Sequence, residues 1–306
     1  MRDGRDLRKL VDSKRFLFFG GKGGVGKTTM AAATALWLAD QGYKTLVIAT
    51  DPTISLSATF EQKIGETEVT PIKCSCNLSG LNINPKKAMG VFQSRMTGMM
   101  EGFSSLFGSE LLSTPCTEEI AAFDQFVSYM QDTEHDKLVF DTAPTGQTLR
   151  ELSMPFDWSG YISNQIKHRR ELSEALGFVY DEGMIEDLKE EKARYDNAVK
   201  GLADETVSAF NMVTLPEKLP IEESARAVED LAKFGIKVPS MIVNEVIPRS
   251  VLEGNWFLER RRATQEKYLD EIGKRFKELI VKEVPLFETD IYGVESLRKV
   301  GGHLYG

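Results

Sequence analysis

The chain has 306 residues, 42% of them hydrophobic, and carries 46 acidic against 38 basic side chains for a net charge of −8. That length suits one large α/β domain or two small ones, the acidic balance argues against a molecule built to hold nucleic acid, and no apolar run reaches the roughly 18 residues of a membrane span. The charged start Met1-Arg-Asp-Gly-Arg-Asp6 has no apolar centre and does not read as a secretory leader, and three cysteines (Cys74, Cys76 and Cys116) form no even disulfide framework, which suits a reducing cytoplasm.

In chain order, Phe16–Phe19 reads as a buried parallel strand and Thr29–Ala39 as a helix. Between them lies Gly21-Lys22-Gly23-Gly24-Val25-Gly26-Lys27-Thr28, a full match to the phosphate-loop pattern. Glycines let backbone N–H groups approach phosphate oxygens, and the helix starting near Lys27 aims its positive end at them. Lys27 is expected to reach the β- and γ-phosphates and the Thr28 hydroxyl to sit on Mg²⁺. Gly21, Gly23, Gly24, Val25, Gly26, Lys27, Thr28 and Thr29 are therefore the candidate nucleotide-binding residues. Thr45–Ala49 is the second strand, and Asp51-Pro52 follows it. A carboxylate there stands at the rim where α/β proteins bind ligands. Asp51 is read as a holder of a Mg²⁺-bound or attacking water, with a turn-forming Asp before Pro as the alternative.

Leu81–Ile83 reads as a further strand, and residues 86–135 read as helices. In that stretch Met89, Met96, Met99 and Met100 cluster with Phe92, Phe103, Leu106 and Phe107, either as an adaptable groove lining or as a buried helical core. Leu138–Phe140 followed by Asp141 has the Walker B arrangement, so Asp141 is expected in the Mg²⁺ shell. Gly146 gives the next segment freedom to move when a γ-phosphate leaves. Residues 153–206 again read as helical, with Met184, Leu188, Tyr195 and Val199 on one face of a helix and charges on the rest. Strands follow at Phe210–Thr214 and Ser240–Val243. Asn244 then offers an amide that can read donor and acceptor on a purine edge, and Pro285-Leu286-Phe287 offers an apolar wall. The basic runs Lys167–Arg170 and Glu259–Arg262 read as solvated helix faces. The expected fold is a doubly wound α/β domain with a mostly parallel sheet, spanning residues 1–306. The helical insertions at about 86–135 and 153–206 are expected to form a subdomain over the nucleotide site.

A second lysine, Lys22, stands directly after the first loop glycine, the deviant Walker A form of switch ATPases that work as face-to-face dimers. Together with Thr50-Asp-Pro52, Asp141-Thr-Ala-Pro-Thr-Gly146, Val243-Asn244, Pro285-Leu-Phe287 and Gly293-Val-Glu-Ser-Leu297, the loop resembles the arsenical-pump and tail-anchored-protein-targeting ATPase family over essentially the whole chain. The resemblance implies Mg²⁺-ATP hydrolysis at a dimer interface, with Lys22 reaching the partner's nucleotide and Asn244 binding adenine. Lys22, Lys27 and Asp51 are the candidate catalytic residues.

Three features favour the arsenical-pump branch. Ser113–Phe126 resembles the segment carrying that branch's metalloid-binding cysteine, here Cys116, and arsenite and antimonite are thiophilic. Asn255–Leu258 lacks the zinc-binding cysteine pair of many targeting ATPases. Ala58 stands where the targeting branch has a water-orienting aspartate, which leaves the catalytic base open. The best-known arsenical-pump ATPases are two fused halves, and this chain is one half long, so a homodimer is expected to restore two sites. The expected role is ATP-driven arsenite or antimonite export, from the cytoplasm and at the periphery of a membrane transporter. The alternative is a chaperone for tail-anchored client helices. An iron–sulfur reductase lacks its cysteines, since none follows Asp141, and the tail Arg298–Gly306, with two adjacent glycines, does not read as a membrane-binding helix.

Overall fold

The computed structural model describes residues 6–50, 56–73, 75–100, 117–142 and 182–306, with residues 160, 163, 164, 167 and 171. The chain divides into two compact units. One comprises residues 1–82, 133–149 and 203–306; the other comprises 83–132 and 150–202.

The first unit holds an eight-stranded sheet among the described residues. Its strands are β1 (Phe16–Gly20), β2 (Thr45–Ala49), β3 (Thr70–Pro71), β4 (Leu78–Asn82), β5 (Lys137–Asp141), β6 (Ser208–Thr214), β7 (Ser240–Val246) and β8 (Ile280–Pro285). Their order is β3-β4-β2-β5-β1-β6-β7-β8, and every pairing is parallel except that of the two-residue β3. The central strands are buried along their whole length, as parallel strands covered on both faces must be. That is why they read in the sequence as continuous apolar runs. The chain winds one way from β1 and later returns to its other side, so β1 lies at the topological switch point where such sheets open a crevice.

Among the described residues the principal helices, in chain order, are α1 (Leu7–Ser13), α2 (Lys27–Asp40), α3 (Leu56–Thr59), α4 (Pro85–Met100), α5 (Thr117–Met130), α6 (Glu182–Ala203), α7 (Lys218–Lys233), α8 (Trp256–Arg275) and α9 (Gly293–Tyr305). Helix α1 opens the first unit, capped by the Asp6 carboxylate accepting from the Arg8 backbone N–H. Helix α2 follows the loop after β1. It is rich in alanine and buried on nearly every face, so it has no polar side to present to solvent. Helix α9 covers it: the Tyr305 and Thr34 hydroxyls lie 2.6 Å apart and the Tyr305 ring packs on Trp37 at 4.5 Å. Burial holds the Tyr305 phenol well above its usual range. The paired glycines of the tail do not stop this helix. A Cβ at Gly301 would stand 3.5 Å from the Ala33 carbonyl of α2, an ordinary van der Waals contact. The tail is therefore helical, with Leu297, Val300 and Leu304 buried in the core.

Several strand ends differ from the sequence reading. The strand expected at Leu81–Ile83 runs over Leu78–Asn82, and β8, with Pro285 as its last residue, has no counterpart among the expected strands. Its alternation is blurred because it is half-buried along most of its length as the sheet's last strand.

The second unit contains α4, α5 and most of α6. Phe92 is buried in a small core with Ala88 and Ala121, and Met89 packs against it. Those two residues contribute to a small core. The side chains of Met96, Met99 and Met100, and residues 101–116, lie outside the described residues. On α6 the buried stripe is Glu191, Tyr195, Ala198 and Leu202, whereas Val199 is only half-buried. Tyr195 lies on the expected face, the side chains of Met184 and Leu188 lie outside the described residues, and two charged residues also turn inward. Arg194 pairs with Asp124 and with Glu191 (3.4 Å), and the Tyr195 hydroxyl donates to Asp124 at 2.6 Å. Burial, then the Asp124 carboxylate, drives the Tyr195 phenol well above its usual range. A buried pair of this kind is costly to break because the remaining charge keeps its desolvation penalty. Asp124→Ala is expected to destabilise this unit by about 3 kcal/mol, read as a lower urea midpoint of helix melting; an unchanged midpoint would show that the pair adds nothing.

Candidate functional site

The loop between β1 and α2 occupies the switch-point crevice. Phe19 is in register with Asp141 across β1 and β5, so the end of β5 is delivered beside the start of the loop. Asp141 is fully buried, and its Oδ2 accepts a 2.6 Å hydrogen bond from the Thr28 hydroxyl. A hydroxyl and a carboxylate are the hard oxygen donors that Mg²⁺ takes, so the pair fits that ion. The Thr142 hydroxyl donates to the Phe19 carbonyl at 2.8 Å, tying the residue after Asp141 to the strand under the loop. Thr50, at the end of β2, donates its backbone N–H to the Asp141 carbonyl at 2.9 Å.

Two of the loop's glycines, Gly24 and Gly26, are required for different reasons. Gly26 caps α2 in the left-handed conformation (φ 95°), and a Cβ there would come within 2.4 Å of the Asn244 amide nitrogen. Gly24 also has positive φ (81°), but a Cβ would meet nothing within 4 Å. At Gly24 the requirement is conformational; at Gly26 it is conformational and steric. The Lys27 ammonium donates to the Lys22 carbonyl at 3.1 Å. The Lys22 ammonium lies 3.0 Å from Glu223 on α7, and both side chains are more than a third exposed.

A cavity of about 410 Å³ adjoins the loop. Gly24, Gly26, Lys27, Thr28 and Thr29 line one side, Asn244 and Glu245 another, and Pro285 to Tyr292 the far wall. The candidate base residues thus share one cavity with Gly24, Gly26, Lys27, Thr28 and Thr29, whereas Gly21, Gly23 and Val25 do not line it. Phe287 is braced edge-on by His303 of α9 at 5.5 Å. Asn244 is buried, and its Nδ2 donates to the Val25 carbonyl at 3.0 Å. Partial loss of solvation, with Glu217 nearby, raises the Glu245 carboxyl above its usual range.

Other sequence candidates fall differently. Asp51, Cys74, Cys116 and Gly146 lie outside the described residues. Cys76 is an exposed free thiol. Ala58 is exposed on α3. Lys167 is solvated and pairs with Glu171 at 3.8 Å. In the other basic run Arg262 is not solvated: its side chain is 11% exposed and donates to the Ile247 carbonyl at 3.0 Å. Sequence reading missed Glu245, Thr59 and the segment from Glu288 to Tyr292 as cavity lining. No residue-type signal marks them; the run after Pro285-Leu-Phe287 was the nearest pointer. Gly26→Ala is expected to weaken ATP binding at least about tenfold, because a left-handed non-glycine residue carries about 1–3 kcal/mol of strain and this one also meets Asn244. Calorimetric titration with ATP checks it, and wild-type affinity in the variant would refute the steric reading.

The anion-transporting ATPase family model matches residues 14–306. A protein of Halobacterium salinarum is 38% identical over 301 residues, covering 96% of this chain and 44% of that one. The arsenical pump-driving ATPase of Acidiphilium multivorum is 32% identical over 302 residues, covering 95% and 50%. A protein of Aquifex aeolicus is 33% identical over 299 residues, covering 93% and 97%. The chain thus spans about half the length of the first two relatives and nearly all of the third. With a phosphate loop, a hydroxyl–carboxylate pair at its base and a match running from β1 to the last residue, the chain belongs to the anion-transporting ATPase family.

Proposed function

We propose that the chain is a dimeric, Mg²⁺-dependent switch ATPase that drives export of arsenite or antimonite. The observation that carries the nucleotide part is the Thr28–Asp141 hydrogen bond of 2.6 Å beside a cavity that also holds Asn244 and Phe287. Phosphates would lie along the loop N–H groups at the start of α2, with the Lys27 ammonium exchanging the Lys22 carbonyl for phosphate oxygens. Thr28 and Asp141, with Asp51, would hold Mg²⁺, which neutralises charge on the phosphates. The base would sit between Asn244 and the Pro285–Phe287 wall. The names of relatives such as the Acidiphilium and Escherichia coli arsenical pump-driving ATPases support the metalloid part, with Cys116 as the proposed metalloid ligand.

Dimerisation would give each nucleotide a Lys22 from the other copy. In the single chain Lys22 pairs with Glu223, so closure would exchange a carboxylate for a phosphate. Among the described residues no helix is long and apolar enough to cross a membrane; the proposed setting is the cytoplasmic face of a membrane transporter that receives the energy of hydrolysis.

The test is steady-state ATP hydrolysis by the purified protein with and without micromolar arsenite or antimonite. Stimulation of several-fold is expected, lost in Cys116→Ser while basal hydrolysis persists. A clear basal rate with no metalloid response would instead favour tail-anchored client targeting. Lys27→Ala is expected to abolish hydrolysis, and retained turnover would refute the loop as the hydrolytic site. Glu223→Gln is expected to lower the ATP concentration for half-maximal hydrolysis by no more than about fivefold, because an exposed pair contributes about 0.2–1 kcal/mol. A larger change would mean that Glu223 does more than hold Lys22.

A further inference from the structure

Strand β7 contains an extra residue where it passes the cavity. It runs from Val243 to Val246 while β8 advances only from Glu283 to Pro285. This is a β-bulge, a device that re-aims side chains beside sites. Glu245, at the bulge, has φ 56°, a left-handed conformation that a residue with a side chain seldom holds. Something must hold it there. The buried amide of Gln265, on helix α8, does so from behind. Its Nε2 donates to the Glu245 carbonyl at 2.9 Å, and its Oε1 accepts from the Ile247 N–H at 2.9 Å. One side chain thus supplies both partners for the backbone groups on either side of Val246.

The bulge places Asn244 over the phosphate loop, with Nδ2 on the Val25 carbonyl. A carbonyl only accepts, so it fixes which way the Asn244 amide faces. Turned over, the amide would set its oxygen against the Val25 oxygen. An asparagine free to turn can read either adenine, which accepts at N1 and donates at N6, or guanine, which has the opposite pattern. An asparagine locked by Val25 can present only one pattern.

We propose that Gln265 is the positioning residue for base selection: by holding the bulge it keeps Asn244 locked on Val25 and so makes the site prefer adenine over guanine nucleotides. This rests on the nucleotide reading of the cavity given above. Gln265 touches neither base nor phosphate in this scheme.

The experiment measures dissociation constants for ATP, GTP and inorganic tripolyphosphate in wild type, Gln265→Met and Gln265→Glu, with melting temperatures alongside. Gln265→Met keeps the length and removes both hydrogen bonds. Gln265→Glu keeps the acceptor for Ile247 and loses the donor to Glu245, and serves if the first variant does not fold. Wild type is expected to favour ATP over GTP by about tenfold or more. In either variant that ratio should fall to within about threefold of unity while tripolyphosphate affinity is unchanged, because the loop is intact. A purely structural role would lower the melting temperature and leave the ratio alone, which would overturn the proposal. Equal binding of ATP and GTP by wild type would overturn it too, leaving the phosphate site standing. No nucleotide binding by wild type would overturn both.

Discussion

The hydrogen bond from the Thr28 hydroxyl to Asp141 joins the first turn of α2 to the end of β5, and the geometry of the site depends on it. It spans two elements that are distant in sequence and adjacent only because β1 and β5 pair in parallel with Phe19 beside Asp141. Shifting that register by one residue would carry the carboxylate to the opposite face of the sheet. Specific side-chain packing opposes the shift, as where the Phe18 ring stacks on Phe140 at 4.9 Å and on Phe210 at 6.1 Å. Core packing of the strands and placement of the Thr28–Asp141 oxygen pair are therefore one constraint.

Around that pair the molecule builds outward in layers. Helix α2 is buried on nearly every side and cannot be stabilised by a solvated face, so it needs cover. Helix α9 supplies it through Tyr305, Leu304 and Val300, and its His303 braces Phe287 at the cavity wall. Helices α7 and α8 are tied to each other by Arg275, whose guanidinium donates to both oxygens of Glu222. Through Gln265, α8 also reaches the strand end that carries Asn244. Most of these supports act on backbone or apolar groups, which is why few of them announce themselves as functional residues.

The fold, and the placing of the glycine-lysine loop between strand and helix, were legible because their signals are local. A glycine-lysine run between an apolar strand and a helix suits a phosphate cradle and little else, and the buried parallel strands stand out as unbroken apolar stretches. Asn244 and Pro285–Phe287 were legible as candidates through the family resemblance, and the cavity brings them to the same place as the loop. What stayed hidden depends on three-dimensional neighbours. The turn of α6 that buries Glu191 and Arg194 follows from a partner, Asp124, on another helix. Gln265 and Arg262 sit in a largely charged helix with a thin apolar stripe, and nothing in residue type distinguishes a buried amide there from a solvated one. The paired glycines of α9 mislead in the same way, because the intrinsic cost of glycine in a helix is outweighed by the burial of Leu297, Val300 and Leu304 around them.

The order of strands in the sheet bears on how the protein reaches this state. Phe16 of β1 finds its neighbours at Leu138 and Ser208, so the strand that carries the phosphate loop is made well before either partner. Non-local parallel pairing of this kind slows folding and leaves apolar edges uncovered in the interval. Phe16, Leu17, Phe18 and Phe19 would be among the segments of the emerging chain most prone to misassociation. During synthesis at the ribosome, the part of the sequence that defines the ATPase is thus also a part that must wait, unpaired, for strands not yet made.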